Sequence, residues 1–173
     1  MRNARLLVVA LVILVIGLTA VLLTKTRASV AKAVNIEYSS ALRTYCTGSF
    51  REATNALVRS VSSTERSREK LTGYYFADTM AFNCRAHLAV MYAFAGEKES
   101  SCDELAAAYP IHQRLMQKNN QAVVAPEKFA DFVFHAIEQM DFTCQPRWKA
   151  GRTMQDGELV DIGERFAVRF GGR

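Results

Sequence analysis

The chain opens with a hydrophobic run, and helical patterning follows it. Residues 6–23 contain no charged side chain and only one polar one, Thr19, and basic residues flank the run on both sides. Eighteen helical residues at 1.5 Å each span about 27 Å, which is close to the hydrocarbon thickness of a bilayer. The pattern predicts a single transmembrane helix, with its basic flanks, in residues 1–27.

A cleaved signal peptide is the alternative interpretation of this run. The apolar core of a signal peptide is usually shorter, and a cleavage site with small residues follows it closely. The nearest such sequence, Ala31-Lys32-Ala33, ends ten residues beyond Leu23. These spacings favour a retained signal anchor over a mature chain that starts near Val34.

Residues 28–145 repeat their apolar positions every three or four residues, as amphipathic helices do. The pattern predicts an antiparallel domain of about five helices, near residues 30–46, 48–61, 65–95, 101–118 and 126–143. The third carries mostly small residues on its apolar stripe, which allow neighbouring helices to approach closely. We therefore expect it to be central.

Several residues predict where these helices begin and end. Ser62 and Ser101, each three residues before a glutamate, have capping-box spacing and would start the third and fourth helices. Gly96 would end the third helix in a left-handed conformation, and Pro126 would open the fifth. Pro110 is expected to break or kink the fourth helix.

The C-terminal residues 146–173 show a different pattern. Phe166, Val168 and Phe170 alternate with polar or small residues, which is typical of a strand, and Asp156-Gly157 is a turn signal. A single short strand is not stable alone. The predicted fold is thus an all-α chain, with a transmembrane helix, a helical domain and a short extended or hairpin tail.

Two stretches resemble tetratricopeptide repeats. One holds Gly48, Phe50, Ala53 and Leu57; the fuller match holds Leu88, Ala89, Tyr92, Gly96, Ser101, Leu105 and Ala108. The two glycines stand 48 residues apart, where that family repeats at 34, and Ser101 replaces the usual alanine. Unrelated helical hairpins can reproduce this spacing. The resemblance covers about half of the domain and implies a grooved surface that binds peptides or helices.

The positive charge of the chain belongs to the flanks of the hydrophobic run. Five of its 22 lysine and arginine residues lie there, and the remaining 17 balance 17 acidic residues, all of which lie beyond position 33. Such flanks suit anionic lipid headgroups. The rest of the chain lacks the concentrated basic face that nucleic-acid binding usually needs, so no nucleic-acid partner is predicted.

The four cysteines all follow the hydrophobic run, as disulfide-bonded cysteines in an oxidising compartment would. Antiparallel helices of the predicted lengths would pair Cys46 with Cys84 and Cys102 with Cys144. The alternative is four buried free thiols in a reducing cytosol. Because charge is similar on both sides of the run, it does not decide orientation. The cysteines favour a bacterial inner-membrane protein with its C-terminal domain in the periplasm.

Two residue pairs are candidates for chemistry. Cys84 with His87, and His135 with Glu138, are each three residues apart and share a helix face. Zinc sites usually add further ligands at close spacing, haem attachment needs C-x-x-C-H, and the common hydrolase and nucleotide motifs are missing from the sequence. Structural roles are the simpler interpretation. No catalytic, cofactor or metal site and no small-molecule substrate is predicted.

The predicted interaction surface consists of Phe134 and the tail residues Phe166, Val168 and Phe170. The fifth helix has an inward-facing stripe at Phe129, Phe132, Val133, Ile137 and Met140. Because successive helical positions turn by about 100°, Phe134 points elsewhere. Either the tail folds back over Phe134 and closes the domain, or the tail and the fifth helix meet another protein.

Two classes of function remain. The first is a non-enzymatic, membrane-anchored helical adaptor or accessory subunit of a cell-envelope complex, with the bilayer and other envelope proteins as partners. The second is a small envelope enzyme, or a metal or thiol site protein, that uses Cys84 with His87 or His135 with Glu138. A catalytic function must be argued from a site, and the sequence offers little, so the first is favoured.

Overall fold

The chain folds as an all-α protein, as predicted. The computed structural model describes residues 2–68, 70–71, 75–154 and 157–171, with residues 2–14, 17, 75 and 171 as backbone only. Within these ranges there is no strand. The helices are α1 (Arg2–Thr47), α2 (Phe50–Ser67), α3 (Tyr75–Phe94), α4 (Lys98–Lys118), α5 (Pro126–Cys144), a 3-10 turn η1 (Arg147–Lys149) and α6 (Glu158–Gly171).

Helix α1 is continuous over 46 residues, which is about 69 Å of helix. Its C-terminal part packs into the domain, where Val34, Ala41 and Tyr45 are buried. Its apolar side chains between Val15 and Leu23 are more than half exposed. One helix therefore links an exposed apolar segment to the core of the domain.

No helix in the described part of the chain is long and apolar enough to cross a membrane. Of the predicted span in residues 6–23, the side chains of residues 6–14 and position 17 lie outside the described part.

The turn between α1 and α2 contains the capping box that the sequence pattern had placed elsewhere. The Ser49 amide donates to the Glu52 carboxylate at 2.8 Å, and the Glu52 amide donates to the Ser49 hydroxyl at 3.4 Å. A Cβ at Gly48 would lie 2.7 Å from the Thr44 carbonyl oxygen, so this tight turn requires glycine.

The prediction that Ser62 starts the third helix was wrong, because α2 continues past this residue. Ser60 and Thr64 are buried in the α2 interface, and the Thr64 hydroxyl donates to the Ser60 carbonyl at 2.8 Å. A serine or threonine whose hydroxyl bonds the preceding turn is compatible with a helix interior. Ser62 and its polar neighbours up to Ser67 therefore lie within α2, and α3 begins at Tyr75 instead of residue 65.

Helix α3 is central, as predicted, and it contacts each of the other α-helices. Gly96 follows it with φ of 76°, the left-handed conformation that ends many helices.

Helix α4 begins at Lys98, so Ser101 does not start it. The buried Ser101 hydroxyl instead donates to the Ala89 carbonyl at 2.8 Å. Pro110 lies inside α4 on an exposed face, where water can solvate the carbonyl that loses its helical partner.

The C-terminal segment is helical, so the prediction of an extended tail was wrong. In α6, Ile162 and Phe166 are fully buried and Val168 is 80% exposed. Leu159, Ile162, Phe166 and Phe170 recur at helical spacing and pack on α3, α4 and α5. The tail thus closes the domain, which is one of the two outcomes that the sequence left open.

Ion pairs fix the register of α6 along α4. Asp161 accepts from Lys98 at 2.8 Å, Arg165 donates to Glu99 at 2.6 Å, and Arg169 donates to Asp103 at 2.6 Å. These side chains are between about one-third and three-quarters exposed, and ion pairs at such exposure contribute little to stability. Their main effect is to select one alignment of the two helices.

The disulfide joins Cys46 to Cys144, with a Cα–Cα distance of 5.6 Å, and the predicted pairing was wrong. Cys84 and Cys102 are buried free thiols. The omission of α6 explains part of the error, because the Cys102 thiol contacts the Ile162 carbonyl of α6 at 3.6 Å. With α6 beside Cys102, the C-terminal end of α5 packs against the end of α1.

The disulfide predicts both a peptide map and a loss of stability. Digestion without reduction should yield a Cys46–Cys144 crosslinked peptide. The disulfide joins residues that are 98 positions apart. Replacing both cysteines by serine should therefore lower the free energy of unfolding by roughly 2–5 kcal/mol. Cys102→Ala removes a sulfur but no crosslink and should cost less. A crosslinked peptide that contains Cys84 or Cys102 would contradict this structure.

Paired substitutions in α6 test its docking. Phe166→Ala removes a fully buried ring and should cost about 3–5 kcal/mol of unfolding free energy. Val168→Ala, two residues away on the exposed face, should change it by less than about 0.5 kcal/mol. Denaturant unfolding of the full chain in detergent, followed by circular dichroism, measures both. Equal effects would indicate that α6 does not pack in this register.

Candidate functional site

A cavity of about 300 Å³ lies between α3, α5 and the segment that leads into α6. Its apolar lining comes from Val90, Phe94, Phe134, Met154 and Leu159. Its polar lining comes from Asp131, His135, Glu138, Asp141 and Lys149. We call this space the α3–α5 cavity. Its size and mixed lining are typical of a small binding pocket.

The polar side of the cavity carries excess negative charge. Three carboxylates face one lysine, and the Lys149 ammonium is already bound to Asp141 at 3.0 Å. The same ammonium lies 4.5 Å from the centre of the Phe94 ring. Asp131 and Glu138, both exposed on α5, therefore leave two negative charges at the rim beside an apolar floor.

A buried polar network forms one wall of the cavity. Asp141 is 6% exposed; it accepts from the Tyr45 hydroxyl at 2.8 Å and from Lys149 at 3.0 Å. Burial and the neighbouring Asp141 carboxylate raise the pKa of Tyr45, so its hydroxyl stays protonated and donates. The buried carboxylate is thus satisfied by a cation and a neutral donor, as a buried charge must be.

Sequence reasoning missed this network, although one signal was available. Asp141 occupies a buried position on α5, four residues after Ile137 and eight after Val133. A carboxylate on an apolar stripe must find partners when it is buried. Tyr45 comes from α1 and Lys149 from η1, so only the tertiary fold identifies those partners.

A smaller depression of about 170 Å³ lies on the other side of Asp141. His87, Tyr45 and the cysteines of the disulfide line it. The His87 Nδ1 pairs with the Asn83 carbonyl oxygen at 2.7 Å, and the Tyr45 ring packs edge-on at 4.5 Å. Burial lowers the pKa of His87, which keeps the imidazole neutral at neutral pH.

The C-terminal turn η1 is held by the single tryptophan. Trp148 is buried and packs edge-on against Tyr45, Phe50 and Phe94, with ring centroids 5.4–6.0 Å apart. Because Lys149 is the next residue, this packing holds its ammonium at the wall of the cavity. Aromatic packing therefore positions one of the cavity's charged groups.

The Cys84 and His87 pair is not arranged as an activated nucleophile. The Cys84 thiol donates to the Ser60 hydroxyl at 3.4 Å, and the His87 Nδ1 is engaged by a backbone carbonyl. Burial raises the pKa of Cys84 to about 11. A reactive cysteine needs a lowered pKa, so the surroundings of this thiol oppose that role.

The second pair, His135 and Glu138, lies at the exposed rim of the α3–α5 cavity. Among the described residues, no group of three or more histidine, cysteine or acidic side chains is arranged to hold a metal ion. These two side chains can instead form hydrogen bonds or ion pairs with a molecule that enters the cavity.

The predicted interaction residues divide between core and surface. Phe166 is fully buried, Phe134 is 7% exposed at the floor of the cavity, and Val168 points to solvent. Phe170 packs at the edge of the core. In the predicted inward stripe of α5, Phe132 and Met140 are about 40% exposed, because the buried face is rotated toward Phe134 and Asp141. The four residues therefore do not form one surface.

Comparison of the chain with protein-family models, curated proteins and solved structures finds no match. The tetratricopeptide-like spacing accordingly stays a prediction from the sequence. Helix α1 and the α3–α5 cavity are the features of the described chain that bear on its function.

Thiol reactivity separates the two roles considered for Cys84. A pKa of about 11 leaves about one thiol in a thousand ionised at pH 8, and burial hinders attack further. We expect no alkylation of Cys84 by iodoacetamide at pH 8 in the native protein, and complete alkylation in denaturant. Mass spectrometry of the peptides measures both. Rapid labelling of the native thiol would instead support the catalytic alternative.

Proposed function

We propose that this protein is a membrane-anchored helical adaptor or accessory subunit of a cell-envelope complex. The observation that carries the proposal is the continuity of α1. Its C-terminal part is packed in the domain, while the apolar side chains from Val15 to Leu23 are exposed by 51–62%. Exposed apolar surface of this extent is costly in water and indicates a membrane or a partner.

The sequence of residues 6–23 favours the membrane as the surroundings of this segment. The run is uncharged and about 27 Å long as a helix, and basic residues flank it. The disulfide between Cys46 and Cys144 supports an oxidising compartment for the domain. Together they favour a single-pass inner-membrane protein whose domain lies in the bacterial periplasm.

The α3–α5 cavity is the proposed docking site for a protein partner. It combines an apolar floor with the two exposed carboxylates of Asp131 and Glu138 at the rim. Phe142, which is 86% exposed, borders a neighbouring surface groove that shares Glu138 and Asp141 with the cavity. This surface fits a partner segment that carries an apolar side chain next to lysine or arginine. The tetratricopeptide-like spacing of the helices supports such a role.

Charged substitutions in the exposed apolar segment test the anchor. Val15→Arg together with Leu18→Arg places two charges within the proposed span, at roughly 2.5–3.5 kcal/mol each near the bilayer centre. We expect the natural chain to stay with the membrane fraction after alkaline extraction and the double variant to be released. Ile36→Arg is the matched control, because Ile36 is 60% exposed on the same helix outside the run. Equal retention of all three proteins would contradict the anchor.

Site-specific crosslinking tests the adaptor role in the same membranes. A photoreactive residue at position 135 should yield a discrete crosslinked partner, and Glu138→Lys should abolish the product by reversing a rim charge. Glu164→Lys changes another exposed carboxylate and should leave it intact. If no discrete product forms, or if both substitutions act alike, the cavity is not the docking site.

A further inference from the structure

The domain has one end that lies beside the emerging apolar segment of α1. At this end Leu71, Ala77 and Met80 pack against Val30 and Val34 of α1. The end also includes the C-terminal turns of α4, because Arg114 and Lys118 reach Asp78 near the start of α3. We call this the proximal end.

The proximal end carries three cations around one carboxylate. Arg68, Arg114 and Lys118 approach Asp78 at 3.6, 3.4 and 3.7 Å. The Asp78 side chain is 11% exposed, whereas the three cations are 34–51% exposed. The one carboxylate balances one of the three cations, so among the described residues the cluster presents about two excess positive charges to solvent.

Neighbouring residues extend this positive surface. Arg66 and Lys70, beside the cluster in the chain, are exposed. On α1, residues 24–34 contain three basic residues and no acidic one. Of the nearby carboxylates, Glu65 shares Arg85 with Glu104, and Glu69 lies outside the described residues. Counted over the described residues, the charge at this end is positive, whereas the α3–α5 cavity has a negative rim.

The distance along α1 places this surface at the level of lipid headgroups. Val30 is seven positions after Leu23, the last residue of the apolar run, which corresponds to about 10 Å of helix. The headgroup region adds roughly 5–8 Å to each side of the hydrocarbon core. Arginine and lysine side chains are long enough to cover the remaining gap.

We infer that the proximal end of the domain binds the phosphate groups of anionic phospholipids. This inference rests on the proposed membrane anchor. Both α1 and the domain then contact the bilayer: the apolar run lies in the hydrocarbon, and the cations of the α2–α3 connection and of α4 lie against the headgroups. The positive charge on the domain itself, in addition to that on the flanks of the run, sets the lipid preference.

Electron paramagnetic resonance of spin-labelled lipids tests this inference on the full chain in phosphatidylcholine bilayers. The measured quantity is the fraction of motionally restricted phosphatidylglycerol relative to restricted phosphatidylcholine. We expect phosphatidylglycerol to be favoured about twofold or more, and 0.5 M salt to remove most of the preference. Arg66→Gln, Lys70→Gln and Lys118→Gln together should remove at least about half of it.

The matched control removes three exposed cations from the opposite end, through Arg43→Gln, Arg51→Gln and Arg147→Gln. This variant should keep the natural preference. Two results would overturn the lipid contact while leaving the anchor intact. One is equal restriction of both lipids by the natural chain. The other is an unchanged preference in the variant with Arg66, Lys70 and Lys118 replaced. Absence of any restricted lipid would overturn the anchor and the lipid contact with it.

Discussion

The bonds between the last turns of α1 and α5 are the constraint on which the rest of the structure depends. The Cys46–Cys144 disulfide joins the two helices covalently. The hydroxyl of Tyr45, the residue before Cys46, donates to Asp141, which lies about one turn before Cys144. Because α1 is a single continuous helix, these bonds set the direction in which its exposed apolar segment leaves the domain. They also hold the C-terminal end of α5, which forms a wall of the α3–α5 cavity.

The same region shows how a buried charge is accommodated near a binding surface. Removing a carboxylate from water is costly unless it is paired and hydrogen-bonded. Asp141 gains a cation and a neutral donor from two different elements, and Trp148 packing places that cation. The network therefore ties η1 to α1 and α5. It leaves Glu138, about one turn earlier on α5, and Asp131, nearly three turns earlier, as the exposed charges of the cavity.

The sequence predicted helices well where the apolar spacing had one interpretation. Gly96 and Pro126 marked real helix ends, and the stripe from Ala77 to Met91 is buried in the central helix. The strand prediction for the C-terminal segment was wrong because Phe166 and Phe170 fit both a two-residue and a four-residue period. The exposed Val168 made the strand pattern look complete. The predicted start of α3 was wrong because the polar residues near Ser62 suggested a connection between helices. Two of their polar neighbours, Ser60 and Thr64, are instead buried within α2.

The candidate site was less predictable than the fold, for a physical reason. His135 and Glu138 could be identified as sharing a helix face, and they lie together at the rim of the cavity. The cavity itself depends on Phe94, Met154 and Leu159, which come from α3, the segment before α6 and α6. The disulfide likewise depends on which helix covers Cys102. Spacing within one helix cannot supply such long-range contacts.

The central claim is that α1 joins the apolar segment to the domain as one rigid helix. Spin labels at positions 16 and 36, whose native isoleucines are about 60% exposed, allow a direct measurement by pulsed dipolar spectroscopy in lipid bilayers. Twenty residues of continuous helix predict a narrow distance distribution centred at about 30 Å between the two backbone positions. The length of the label side chains adds to this distance. A broad distribution, or one centred well below that distance, would show a hinge between the segment and the domain and would contradict the account.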